Sequence, residues 1–395
     1  MSYKKLYLFT LPLFFSVVTG CKNNTSSNHK AEIIEKIDIL KYFINFAATA
    51  NTYNPAASFT FQCNNKNPQK IQSLSYGTVK KNGDKVTEKT LFQIGSNSKP
   101  FLAVIVLLLE EEGRLNINHT VGTYLTEYPL WQNITLKQLL NMTSGIPNYL
   151  GDSSFIDKIK NNPLHKFTYT ELLNLVKNEP VEKKIKFNYS NTNYVLLAKI
   201  IETVTKNSLK NEINKRILKP LDLKHTFYIE HLAKEELPIE EYNKLAASYS
   251  SDIVGLNISD TSLSWALGAG SMLSTAQDLN TYLQAVFTGK ILSAKQRAKF
   301  LTPVDMDTGL ELPYGVNTTI IKEGYGLGIR IKYDASINQV IYTNSGGTLT
   351  FVSNINYIPK FNISFATTLN TSSFVNNNLN DYFNNLPKKI VDHCK

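Results

Sequence analysis

Nine consecutive residues, Phe101 to Leu109, read Phe-Leu-Ala-Val-Ile-Val-Leu-Leu-Leu. A helix of that composition has no polar face, so it must be buried on every side and the chain must fold around it. Pro100 fits its first turn, where a missing N–H is tolerated, and Gly113 can end it. Ser96 and Lys99 stand at its mouth, three residues apart and so on one face of a helix. A hydroxyl is a poor nucleophile at neutral pH until a neighbouring base takes its proton, and Ser-x-x-Lys is a compact way to build that pair. A buried helix also suits a nucleophile that must not wander. Spacing alone does not single out this pair, because Ser2/Lys5 and Ser27/Lys30 share it.

The patterns around the helix fall in a definite order. Ile33, Ile37, Leu40 and Ile44 recur at helical spacing. Ser58–Cys63 and Ser73–Lys80 read as strands joined by a polar turn, Asn64–Pro68. Helices are expected over 134–141, 169–177, 194–204 and 276–287. Strands follow over 325–333, 339–343, 350–358 and 363–369, then a helix over 379–393 interrupted at Pro387. The expected fold is α+β: one antiparallel sheet built from both ends of the chain, flanked by helices, with a mostly helical domain inserted between. The boundaries are 31–100 and 313–395 for the two parts of the α/β domain and 101–312 for the insertion. A cleft is expected between sheet and insertion, at Ser96.

Residues 1–20 read as a signal. Lys4 and Lys5 precede an apolar stretch, Leu6 to Val18, too short for a membrane span. It ends in Val18-Thr19-Gly20-Cys21, which resembles a bacterial lipobox with Cys21 as the lipid-modified residue. An ordinary secretory signal with a chance cysteine is the alternative. Polar residues 21–30 read as a flexible tether. This reading puts the protein in the bacterial cell envelope, lipid-anchored and facing the periplasm, with Lys22 after the cysteine pointing to the outer membrane. In an exported chain Cys63 and Cys394 can form one disulfide; two free thiols are the other option. The six histidines show no metal-ligand spacing, so neither metal nor cofactor is expected. The net charge of +10 comes from 42 Lys and Arg against 32 Asp and Glu, scattered rather than clustered. That fits solubility, or mild attraction to an anionic membrane or wall polymer; nucleic acid is not an expected partner.

Two further stretches can complete a site. Tyr189 and Asn191 lie on a turn before the apolar helix at 194–204. A phenol there can accept the proton of Ser96 if Lys99 lowers its pKa, and the Asn191 amide can orient a substrate amide or ester. Tyr342-x-Asn344 and Tyr382-x-Asn384 repeat the spacing. Asn344-Ser345-Gly346-Gly347 lies between two strand patterns, where glycines allow a ligand close to the backbone. A backbone N–H there, with that of Ser96, can form an oxyanion hole.

These elements, in this order, resemble the serine β-lactamase and penicillin-binding-protein superfamily, in its class C β-lactamase-like branch with D-alanyl-D-alanine carboxypeptidases and esterases. The resemblance extends over about 56–370. It takes in Leu139-Leu140-Asn141-Met142-Thr143-Ser144-Gly145-Ile146-Pro147, Phe187-x-Tyr189-Ser190-Asn191-x-x-Tyr194, Gly268-Ala269-Gly270-Ser271-Met272 and Tyr325-Gly326-Leu327-Gly328. It implies Ser96 as acylated nucleophile, Lys99 as its proton partner, Tyr189 as general base and Asn191 as substrate contact. Asn344, Ser345, Gly346 and Gly347 would line the substrate, with Gly347 giving the second oxyanion N–H. One position departs: Asn344 stands where the family carries lysine or histidine. A lost charge-assisted contact weighs roughly 1.5 to 3 kcal/mol, about ten- to a hundredfold. The implied activity is a serine hydrolase acting through an acyl-enzyme on an amide, ester or lactam, small or peptidoglycan-derived. The alternative is a weak or inactive relative that binds wall fragments or a protein partner.

Overall fold

A computed structural model describes residues 38–49, 54–63, 71–183, 186–250, 253–313, 323–371 and 378–395. The signal, the tether with Cys21 and the turn at 64–68 lie outside the described residues. Among the described residues the main sheet has eight strands. They are β1 (Ala56–Cys63), β2 (Gln72–Gly77), β3 (Val304–Asp305), β4 (Glu323–Tyr325), β5 (Arg330–Asp334), β6 (Gln339–Gly347), β7 (Val352–Ile358) and β8 (Ile363–Leu369). Their spatial order is β2-β1-β8-β7-β6-β5-β4-β3, with antiparallel pairing throughout. β1 and β8 pair from Ala57↔Leu369 to Cys63↔Ile363, so the two ends of the chain close one sheet.

Helix α1 (38–49) and the C-terminal helix share one face of that sheet. Phe43 and Phe46 of α1 join Leu386 and Ile390 in a core with Phe59 and Phe61 of β1. Phe46 stacks on Tyr382 with ring centroids 3.7 Å apart. Cys63 and Cys394 form a disulfide, with Cα atoms 5.5 Å apart. On the other face lie α2 (Ser98–Glu111), α3 (Thr192–Thr205), α4 (Ala276–Phe287) and α5 (Ala294–Leu301). Every residue of α2 from Ser98 to Leu107 is buried, as its composition demands.

Four expectations need correction. The 325–333 strand is two, β4 and β5, because a turn intervenes. Gly326 N donates to Ile329 O at 2.8 Å, and Gly328 takes φ +87° where a Cβ would meet Tyr194 Oη at 2.8 Å. Residues 344–347 are not a link between strands; they continue β6 and pair with β7 as far as Gly347↔Val352. The C-terminal helix, α6 (Asn378–Cys394), runs through Pro387, held by the apolar face it buries on β1. Finally, α4 and β3 fall within 101–312 yet belong with the sheet. Phe287 of α4 stacks on Tyr357 at 4.1 Å, and Gln284 Nε2 donates to Ser364 Oγ at 2.7 Å.

Candidate active site

Ser96 sits in a 3-10 turn, Gly95–Asn97, that feeds α2, and Lys99 is on the first turn of that helix. Lys99 Nζ lies 2.9 Å from Ser96 Oγ, 2.8 Å from Asn191 Oδ1 and 2.8 Å from Ala269 O. Tyr189 Oη donates to Ser96 Oγ at 2.8 Å. Four residues expected from two distant stretches therefore meet at one nitrogen and one hydroxyl. Tyr189 and Asn191 reach it because α3 packs along α2 and begins at Thr192.

The end of β6 closes the other side. Asn344 Nδ2 donates to Ser96 O at 3.0 Å and to Asn97 Oδ1 at 3.1 Å. Asn97 Nδ2 donates to Ser353 Oγ at 2.7 Å, and Ser353 Oγ donates to Ile94 O at 2.7 Å. Asn344 thus clasps strand to turn, and its amide nitrogen is occupied. The glycines serve the same approach. A Cβ on Gly346 would stand 1.8 Å from Ile94 O, so these glycines admit the chain's own nucleophile turn rather than only a ligand. Ser345 and Gly347 alternate with the buried Asn344 and Gly346 and are exposed. β5 begins at Arg330, opposite Thr343, so the β6 edge from Asn344 to Gly347 has no strand beside it among the described residues.

A family model for the beta-lactamases matches residues 64–385, more than half of the chain and all of this site. The chain belongs to the beta-lactamase family. A penicillin-binding protein of Bacillus subtilis (strain 168) is 30% identical over 237 residues, 57% of this chain and 51% of that protein. Protein flp of Staphylococcus aureus (strain MW2) is 38% identical over 149 residues, 36% of this chain and 29% of that protein. The chain spans about half the length of the curated relatives it matches, or less. The structure of the D-amino acid amidase from Ochrobactrum anthropi SV3, complexed with L-phenylalanine amide, superposes with a TM-score of 0.75 at 21% identity. It covers 92% of this chain and 100% of that one, and it shows a shared fold. The family is that of the serine hydrolases of penicillin-binding-protein and β-lactamase type.

Within this beta-lactamase fold the electrostatics differ from expectation at one residue. Lys99 is fully buried, and desolvation holds its pKa well below 10.5. Tyr189 was expected to be lowered by Lys99. Instead burial pushes its phenol up to about 12, offset in part by the Ser96 hydrogen bond and by the Arg330 charge. Lys99 lies 5.0 Å from the Tyr189 ring centroid, yet burial outweighs every charge that acts on the phenol.

Several participants escaped the sequence reading. Asn148 follows the loop read as Leu139–Pro147, and its side-chain oxygen accepts from Asn191 Nδ2 at 3.3 Å. Ala269 contributes only a carbonyl, which no side-chain pattern reveals. Asn97 adjoins Ser96 in its turn but carries no motif of its own, and Ser353 and Arg330 are brought here by the pairing of β5, β6 and β7.

Proposed function

We propose that this protein is an acyl-transfer hydrolase that forms an ester between Ser96 and the acyl part of a small amide or ester, with D-amino-acid amides and peptides foremost. The observation that carries this reading is the Lys99 nitrogen 2.9 Å from Ser96 Oγ, with two carbonyl-type oxygens on its other sides. Burial favours the neutral amine, which has two N–H groups and one lone pair. The two oxygens take the N–H groups, and the lone pair is left for the Ser96 proton.

Lys99 is then the base. As the Ser96 proton moves to Nζ, Oγ bonds to the substrate carbonyl carbon and the carbonyl electrons move onto its oxygen. The N–H groups of Ser96 and Gly347 are the proposed donors to that oxyanion. Its collapse breaks the bond to the leaving nitrogen or oxygen, which takes the proton of Tyr189. Tyr189 recovers a proton from the Lys99 ammonium. Water repeats the sequence on the ester, giving its proton to Lys99 and releasing the acid. Tyr189, with a phenol pKa of about 12, suits the donor's role better than the base's.

The D-amino acid amidase fold and the penicillin-binding relatives support the substrate class. Asn344 favours a second reading, a protein that binds wall fragments or a partner without turnover, since the expected cation is missing. The proposal also includes a lipid on Cys21 as the envelope anchor, supported by the sequence around it; palmitate labelling lost in Cys21→Ser tests that part. The chemistry is tested by intact-protein mass spectrometry after exposure to a panel of activated esters, D-amino acid amides and β-lactams. An acyl adduct on Ser96, missing in Ser96→Ala, is expected. A folded protein that takes up no adduct from any member, yet binds one saturably, would favour the second reading.

A further inference from the structure

Asn148 stands one residue beyond the loop that the sequence singled out, and its side-chain oxygen gathers three N–H groups. Asn191 N lies at 3.2 Å, Leu150 N at 3.4 Å and Asn191 Nδ2 at 3.3 Å. Two of these are backbone N–H groups, which can only donate, so the atom facing them must be the oxygen of the amide and not its nitrogen. That fixes the next amide in turn. Asn191 points its NH2 at Asn148 and therefore its oxygen at Lys99, 2.8 Å away. On another side of Nζ the Ala269 carbonyl, 2.8 Å away, is also obliged to accept.

We infer that Asn148 is a positioning residue of this site: by holding the Asn191 amide the right way round, it aims the remaining position of the Lys99 nitrogen at Ser96. With Asn191 reversed, an NH2 group would face the Lys99 N–H, donor against donor. The amine would then turn its lone pair toward Asn191 and an N–H toward Ser96, the arrangement that cannot take a proton. Asn148 touches neither Ser96 nor Lys99 in the bonds described, so it acts through Asn191 alone. The inference rests on the acyl-transfer reading above.

The titratable groups that face Lys99 are Tyr189 at 5.0 Å and Tyr194 at 5.6 Å, from nitrogen to ring centroid. Beyond them, the Tyr325 phenol and the Arg330 guanidinium act on or through Tyr189, and Tyr282 of α4 stacks on Phe101 of α2 at 3.8 Å. Asn148 is only half-buried, so an aspartate in its place can stay ionised.

The test compares the full chain with Asn148→Leu and Asn148→Asp. Two quantities are read across pH: the rate at which a fluorophosphonate labels Ser96, and the 13Cε shift of Lys99 in lysine-labelled protein, assigned with Lys99→Met. Leucine removes the acceptor, and labelling is expected to fall roughly ten- to a hundredfold at every pH. Aspartate keeps the acceptor and adds a negative charge. It should restore labelling to within a factor of a few at high pH, while the midpoints of labelling and of the Lys99 titration both rise by up to about one unit. Identical Lys99 midpoints in all three proteins would overturn the inference, as would a folded Asn148→Leu that labels at the wild-type rate. Should the unaltered protein itself resist labelling, the acyl-transfer reading fails, and the Lys99 titration still decides the part played by Asn148.

Discussion

Gly95 and Gly347 meet backbone to backbone: a Cβ on Gly95 would stand 2.5 Å from the Gly347 carbonyl oxygen and 2.7 Å from its nitrogen. Gly95 also takes φ +50°, which side chains rarely adopt. The residue before the nucleophile and the last residue of β6 are therefore fitted to each other without room for a methyl group. Gly346 makes the same demand against Ile94 O.

Alanine at Gly346 should act as a wedge between β6 and the Ser96 turn. The expected loss is more than about 2 kcal/mol of stability, measured by urea unfolding, together with loss of Ser96 labelling. A Gly346→Ala protein with native stability and native labelling would show that this contact does not shape the site.

Lys99 sets the acid side of the activity. Its pKa is lowered by burial, so acylation should rise with pH and level off well below 10.5. Tyr189 is raised to about 12, so no falling limb should appear near the ordinary tyrosine value of 10.0. Stability has a matching sign. Below its folded pKa, Lys99 carries a charge in the core that water would solvate better in the unfolded chain. That penalty is full in acid and is relieved as pH rises from the folded pKa toward 10.5. Lys99→Met should therefore raise the melting temperature, more at low pH than at high, while abolishing labelling. A gain independent of pH would contradict the buried-lysine account.

Tyr189→Phe separates proton donation from nucleophile activation. Substrates with a good leaving group, such as aryl esters, need no acid and should acylate Ser96 within about tenfold of the native rate. Amides should slow by about 100- to 10,000-fold. Equal losses on both, in kcat/KM measured side by side, would return the role of base to Tyr189.

Asn344 tests the missing cation. An ammonium at this position can reach Ser96 O and Asn97 Oδ1, as the amide now does at 3.0 and 3.1 Å. Asn344→Lys should speed acylation by a carboxylate-bearing penicillin by about ten- to a hundredfold, with a neutral ester unchanged. Stopped-flow labelling with both probes gives the comparison.

The disulfide should matter for stability and not for chemistry. Cys63 is paired in register with Ile363, at the end of the sheet opposite Val352 and Gly347. The bridge to Cys394 joins residues 331 apart in sequence. Cys63→Ser with Cys394→Ser should lose about 2 to 5 kcal/mol in denaturant melts and label Ser96 at the native rate.

Much of this was written in local order. The all-apolar run after Lys99 required a buried helix, and strand patterns at both ends of the chain required a shared sheet. Ser96, Lys99, Tyr189 and Asn191 could be named because each lies in a short stretch whose side chains make its chemistry visible. Folding decided what depends on neighbours far away in sequence. It turned 344–347 into the end of a strand, since pairing with Val352–Ile355 is invisible in the four residues themselves. It committed Asn344 to a clasp, and it recruited the Ala269 carbonyl and Asn148. It also set the proton affinities of Lys99 and Tyr189, because desolvation is a property of the surroundings and not of the residue.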